Sequence, residues 1–225
     1  VSMEEAVIEI ESVQVTGMKV QQQNDTRTSL IDLNPRNAKI LPGAAEDVLR
    51  TLQSLPGVLA PNDFSSQLVV RGSGPDQNLI IMDDVEIFNP YRLYGVVSMF
   101  NPDAVSDVNL MSGGFPAKYG DRLSAVLDVT NREGDNSKNL KGNINVSVVD
   151  ANIVLEGKNP FNVKGSWLVN SRRTYYDLVI EPFVKSAGLV DDNTSFPNFY
   201  DFQAKLVLGP FNGHKLLLNG IISRD

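Results

Sequence analysis

Gly142-Asn143-Ile144-Asn145-Val146-Ser147-Val148-Val149-Asp150-Ala151-Asn152-Ile153-Val154-Leu155 is the stretch on which the fold turns. Ile144, Val146 and Val148 alternate with Asn143, Asn145 and Ser147, and then the apolar phase flips to Val149, Ala151, Ile153 and Leu155. Successive side chains of a strand point to opposite faces, so the flip requires a bulge or a reversal of the chain near Asp150. Strand-like patterns continue at residues 165–173, 202–208 and 214–223. In the second of these, Phe202, Ala204, Leu206 and Leu208 stand against Gln203, Lys205 and Val207. The connections are unequal: 157–164 and 209–213 are tight, whereas 176–198 is long and holds a helix-like segment over 178–186.

Short turns on one rim and long loops on the other are the habit of barrels in outer membranes. A reversal near Asp150 puts both tight turns on the near rim and the long loop on the far rim, and a single long strand does the opposite, so a hairpin is expected. Four or five strands cannot close a barrel, and the exposed edges require further strands or another copy of the chain. No run approaches the eighteen or so apolar residues of a membrane helix, and Val1-Ser2-Met3-Glu4-Glu5 lacks the regions of a signal peptide, which suits a cytosolic protein or an excised piece. Neither observation excludes a membrane barrel, whose strands give a weak hydropathy signal. With 20 basic and 27 acidic side chains the net charge is -7, which repels phosphate backbones and argues against nucleic acid as a partner. The absence of cysteine excludes thiolate metal sites, disulfides and cysteine nucleophiles.

Upstream, the 225-residue chain changes character. Residues 6–18 alternate as a strand ending at Gly17. Ala45, Val48, Leu49, Leu52 and Leu55 fall on one face of a helix over 44–55 that Pro56-Gly57 ends. Residues 67–72 and 78–87 read as two strands separated by Ser73-Gly74-Pro75-Asp76 and able to pair as neighbours. An aromatic loop, 88–95, leads to an expected short helix, then a strand at 105–111, a glycine-rich bend at 113–120 and a last strand at 125–130. Polar residues 131–141 read as a boundary. The expected organisation is a leading segment at 1–10, a mixed α+β unit at 11–133, a small sheet with short helices, and antiparallel strands of an incomplete transmembrane β-barrel at 134–225.

Several segments resemble, in order and spacing, the plug of TonB-dependent outer-membrane receptors. They are Glu11-Ser12-Val13-Gln14-Val15-Thr16-Gly17, the helix running to Leu55-Pro56-Gly57-Val58, Val69-Val70-Arg71-Gly72, Asn78-Leu79-Ile80-Ile81-Met82-Asp83-Asp84-Val85, and the bend with Tyr119-Gly120. Ser171-Arg172-Arg173-Thr174-Tyr175 and Phe199-Tyr200-Asp201 look like early barrel strands of a Bacteroidetes-type subfamily. The resemblance implies an importer of a scarce ligand in the cell outer membrane, driven by TonB, with the plug inside the barrel facing the periplasm, with lipid around it and with a surface lipoprotein as a further partner. It implies no cofactor and no bond chemistry. Where many relatives carry a glutamate and an arginine, this chain has Asn109 and Ser112, so Arg71 alone carries over as a plug-barrel anchor.

The resemblance also assigns candidate sites. Glu11, Ser12, Val13, Gln14, Val15 and Thr16 coincide with the segment that binds TonB, as an edge strand added to a partner's sheet; the alternative is a plain plug strand, or the last strand of a preceding domain. The outward loops supply Asp63, Phe64, Ser73, Gly74, Pro75, Asp76, Phe88, Asn89, Tyr91 and Arg92 for an unknown small or oligomeric ligand, with ordinary loop packing as the alternative. Asp83, Asp84 and Glu86 form an acidic cluster, but on a strand only two of them share a face, and a strand-end turn explains them better than a metal or a catalytic pair. His214 has no triad partners nearby in sequence and Gly72-Ser73-Gly74 lacks the lysine of a phosphate loop. The rival architecture is a soluble binding module whose strands 142–225 form a sandwich, which buries the faces that a barrel shows to lipid. A third reading, a hydrolase built on the acidic cluster, requires two carboxylates facing each other across a cleft.

Overall fold

A computed structural model describes residues 30–35, 38, 46–160, 163–189, 191 and 196–225; the expected strand over 6–18 lies outside them. The first unit is a mixed five-stranded sheet in the order β1-β8-β9-β4-β5. Its strands are β1 (Leu30–Leu33), β4 (Asn78–Met82), β5 (Val85–Glu86), β8 (Val105–Ser112) and β9 (Ala125–Asn131). β4 runs parallel to β9 and the other pairs are antiparallel. Period-two alternation gives this sheet two apolar faces. Ile80, Met82, Val108, Leu110, Leu127 and Val129 face the main core, while Leu79, Met111 and Val126 pack with Tyr119 on the other side.

Helix α1 (Val48–Leu52) closes the main core with Val48, Leu49 and Leu52, all fully buried, each worth roughly 1.5–3 kcal/mol of apolar burial. It is shorter than the expected 44–55. Asp47 caps its N-terminus by accepting the amides of Leu49 and Arg50, and the last residues tighten into i→i+3 turns, Gln53 to Arg50 and Ser54 to Thr51, before Gly57 at φ 82. Residues 67–72 contribute only β3 (Val69–Val70), which pairs with β2 (Val58–Leu59) and not with β4. The expected strand 78–87 is a hairpin: Asp83 and Asp84, at φ 49 and 64, turn the chain so that Met82 faces Val85, the left-handed geometry that aspartate tolerates in two-residue turns. In place of the helix expected after residue 95, the described residues form β7 (Val97–Ser98), paired with β6 (Tyr91–Arg92), and a turn in which the Ala104 amide donates to the Asn101 carbonyl. The β-branched pair Val96-Val97 and Pro102 disfavour a helix there.

The second unit is a five-stranded antiparallel sheet in sequence order. It consists of β10 (Lys141–Val146), β11 (Ala151–Lys158), β12 (Gly165–Arg173), β13 (Tyr200–Phe211) and β14 (His214–Arg224). The chain reverses at 147–150, so the phase flip is a hairpin. Val146, Ala151, Arg173, Tyr200 and Arg224 lie in one row at the far rim, where the long connection holds a π-helical turn (Tyr176–Ile180) and α2 (Glu181–Ser186). Among the described residues this sheet is open and does not close into a barrel.

One face of the open sheet packs on the first unit and the other is bare. Reading across the register, the inward rows are Asn145-Asn152-Arg172-Asp201-Ser223, then Asn143-Val154-Asn170-Gln203-Ile221, then Lys141-Glu156-Leu168-Lys205-Asn219. The outward rows include Ile144-Ile153-Ser171-Phe202-Ile222 and Trp167-Leu206-Leu218. Ile144 is 71% exposed and Ile222 60%. A sandwich would bury these side chains under a second sheet; here nothing among the described residues covers them, and the polar side faces protein.

Candidate functional site: the contact between the two units

The inward rows of the wall meet the first unit through charged and amide groups. In the row nearest the far rim, Arg92 Nε donates to Asp201 Oδ1 at 2.9 Å, with side chains 6% and 0% exposed, and Arg92 Nη2 bonds Ser223 Oγ, which also bonds Asp201. Arg92 Nη1 donates to the carbonyls of Asn89 and Tyr91 at 3.0 and 2.8 Å, fixing the turn before β6. On β12, Arg172 Nη2 donates to Asp150 at 2.6 Å and Nη1 to the Ser98 carbonyl at 2.6 Å, while its guanidinium carbon stands 5.7 Å from the Phe199 ring centre. One side chain thus ties the 147–150 hairpin, the end of the long loop and β7 together. Asn145 reaches Glu46 in the same row.

The next row bonds Asn101 Nδ2 to Asn170 Oδ1 at 2.7 Å and sets Ile221 against the main core. In the third, Lys205 Nζ lies 2.7 Å from Asp83 Oδ1 and 2.7 Å from the Asn131 carbonyl, and Arg132 pairs with Glu156. Asp83 also accepts the Asn131 amide and side chain, at 3.1 and 3.0 Å. The positive-φ turn that ends β4 therefore aims a carboxylate at the wall. Buried pairs of this kind are costly to break, because the partner left behind is an uncompensated charge in a low dielectric.

Asp47 lies behind the first row, fully buried. Besides capping α1 it accepts the amide of Ser98, joining helix to hairpin. Burial pushes its carboxyl above the ordinary aspartate range, against the opposing field of Arg172 and the amide donors of Ser98 and Arg50. Burial likewise raises the Tyr91 phenol, with the nearby Asp47 charge adding to it.

At the far rim a cavity of about 820 Å³ opens between the loop after β6 and the strand ends, lined by Leu93, Tyr94, Arg173, Phe196, Pro197, Asn198, Tyr200, Arg224 and Asp225. Leu93 and Tyr94, at φ 52 and 57, precede Gly95 at φ 92. Two bulky residues in left-handed conformation hold the loop tip outward, and Tyr94 is 95% exposed.

The outward-loop candidates divide. Phe64 and Phe88 are strongly exposed, Phe88 at 89%; Asp63 is exposed and its carbonyl accepts from Arg50 Nη2 at 3.0 Å. Ser73 bridges back to Val70, and Gly74 cedes its Cβ space to Asp76 Oδ1, which would lie at 2.6 Å, ahead of the short turn Pro75–Gln77. Asn89 accepts the Tyr91 amide, and Tyr91 packs against the main core. Arg92 is committed to Asp201. Arg71 is exposed with its guanidinium against Gly113, where a Cβ would lie 2.0 Å from Nη1; among the described residues it forms no ion pair. Glu11 to Thr16 lie outside the described residues.

Sequence reasoning missed Asp47, Asp201, Lys205, Glu156 and Arg172 as functional groups. The available signal was the charge on the polar phase of strands whose other phase is apolar. Among the described residues no group of three or more His, Cys, Asp or Glu is placed to hold a metal ion. The former acidic cluster is dispersed onto cations, Asp83 on Lys205 and Glu86 on Arg122 at 3.2 Å. His214 is exposed opposite Phe211 in the β13–β14 turn.

A mixed-sheet unit seated by buried charges against an open, inside-out sheet defines a stopper and the wall it sits in. Residues 36–126 match the family model of the TonB-dependent receptor plug domain. The chain therefore carries a TonB-dependent receptor plug, followed by antiparallel strands as in the N-terminal region of such receptors. Among solved structures it resembles the siderophore receptor PirA from Pseudomonas aeruginosa, at 16% identity and a TM-score of 0.59, over 89% of this chain and 36% of that one. It also resembles the ferric enterobactin receptor PfeA from the same organism, as a G324V mutant, at 17% and 0.51, over 84% and 31%. At such identities the likeness is one of fold, and the chain spans about a third of those proteins. No curated protein matches its sequence.

Proposed function

We propose that the chain is the plug and first wall strands of an outer-membrane transporter. In this reading it takes a ligand at the far rim and admits it when TonB engages the segment 11–16 from the periplasm. The observation that carries the reading is the inside-out wall: apolar outward rows suit lipid, and the inward rows suit a polar plug that has to be seated and released. The far-rim cavity, with Tyr94 exposed in its lining, is the ligand floor. A surface lipoprotein over the far rim is compatible with the exposed apolar side chains of the long loop, Leu178 and Phe183 among them.

The test is an epitope placed between Gly188 and Leu189 of the complete protein in its native cells. The expected outcome is recovery in the outer-membrane fraction with the epitope labelled by antibody on intact cells. Recovery as a soluble periplasmic protein sinks the reading.

A further inference from the structure

Three carboxylates and two guanidiniums are buried together where the plug meets the first inward row of the wall. Asp201 pairs with Arg92 and Asp150 with Arg172. The third carboxylate, Asp47, is fully buried, and among the described residues it has no ion-pair partner. Arg172 is the cation whose field reaches it, and Arg172 is already spent on Asp150 and the Ser98 carbonyl. The cluster thus holds one negative charge in excess where water is excluded, and such a charge is costly unless it is neutralised.

The groups around it are few. Ser98 on β7 and the amides of Leu49 and Arg50 donate to Asp47, and Tyr91 on β6 feels its charge. Asp150 and Asp201 share the field of Arg172 with it. The amides and Arg172 favour the anion; desolvation opposes it and is the largest influence, so the carboxyl takes up a proton more readily in the seated plug than in the unfolded chain.

We propose that Asp47 is a proton-sensitive seat for the plug: one proton on its carboxyl removes the excess charge and holds α1 and the β6–β7 hairpin more firmly against the wall. Arg172 is the positioning residue that keeps the plug seated when that proton is absent. A carboxyl with a raised folded-state pKa adds stability that is complete below the unfolded value, about 4 for aspartate, and is lost as pH rises through the raised one. Acidification therefore tightens this contact, the reverse of its effect on a carboxylate whose ion pair is broken by protonation. A seat of this kind holds the plug independently of transport and of any ligand.

The experiment follows hydrogen exchange in stretches 47–55 and 91–101 of the complete protein in detergent, from about pH 7.5 to about pH 4, corrected for intrinsic rates, with strand 105–112 as control. The expected result is that opening in the two stretches slows as pH falls while the control is flat. Asp47→Asn abolishes this pH dependence. Arg172→Met speeds opening at the upper pH by at least about tenfold, the equivalent of one pKa unit, and acid restores protection. Arg172→Lys, which keeps the charge, retains the wild-type pH profile. Persistence of the pH dependence in Asp47→Asn overturns the proposal, as does an Arg172→Met effect of equal size at both ends of the range. If Arg172→Met does not fold, the Asp47→Asn result decides alone.

Discussion

The plug and the wall use the word buried in opposite senses. In the plug, burial selects Val48, Leu52, Met82, Phe100, Val108 and Leu127; in the wall it selects Glu156, Asn170, Arg172, Asp201, Gln203 and Lys205, while Ile144, Leu218 and Ile222 are left bare. The plug follows the rule for a body surrounded by water, with the hydrophobic effect drawing its sheet onto α1. The wall has the polarity of transmembrane barrel strands, apolar on the face away from the plug and polar toward it. The difference explains what holds two such unlike sheets together. Their contact consists of directional ion pairs and amide hydrogen bonds, with apolar contacts at Ile221, at Val154 and Leu168 against Ala104, and at Phe199 and Val149 against Leu93 and Val97.

The contact between plug and wall is most vulnerable at Arg92. Arg92→Met leaves Asp201 buried with no direct ion pair, only the Ser223 hydroxyl and the field of Arg172 to offset its charge, and a loss of about 3–5 kcal/mol in plug stability is expected, read by urea denaturation of the complete protein followed through plug peptides. A loss below about 1 kcal/mol would place this pair with ordinary surface pairs and would remove the case for a charge-held plug. A smaller effect is expected on the other face. Leu206→Arg places a cation in the middle of the outward band and should cost about 2–4 kcal/mol in lipid, measured by folding into liposomes. If the variant folds as well as the wild type, the outward rows do not face lipid. The smallest effect belongs to the pair Lys185–Glu181, which bonds at 2.8 Å on α2 at the surface. Lys185→Ala should leave both the unfolding midpoint and plug exchange unchanged, and a shift in either would show that the long loop participates in seating.

The pieces that were legible in the chain are those governed by near neighbours. The phase flip at Asp150 forces a reversal, because period two allows no other return to the same face short of a bulge. The face of α1 was visible in the spacing of Val48, Leu49 and Leu52, and the outward phase of β13 in Phe202, Ala204 and Leu206. Local rules misjudged short pieces. The strand expected over 78–87 is cut by Asp83-Asp84, which form the turn expected of them in preference to a metal site or catalytic pair, but inside the strand, with one arm on Lys205. The helix expected after residue 95 gives way to β7, because pairing with β6 and the bond from Ser98 to Asp47 outweigh a weak propensity.

Alternation alone states that two faces differ, and the sequence therefore determined by itself a globular unit followed by two-faced strands. It does not state which face is inside, since apolar-in and apolar-out strands have the same period. Only the tertiary structure decided that the polar face of the wall meets the plug. It alone brought Arg92 to Asp201 and Asp83 to Lys205, across 109 and 122 positions of chain. The physical reason is that pairing of buried charges depends on where separate elements are docked, and nothing in the spacing of residues near either partner encodes the other.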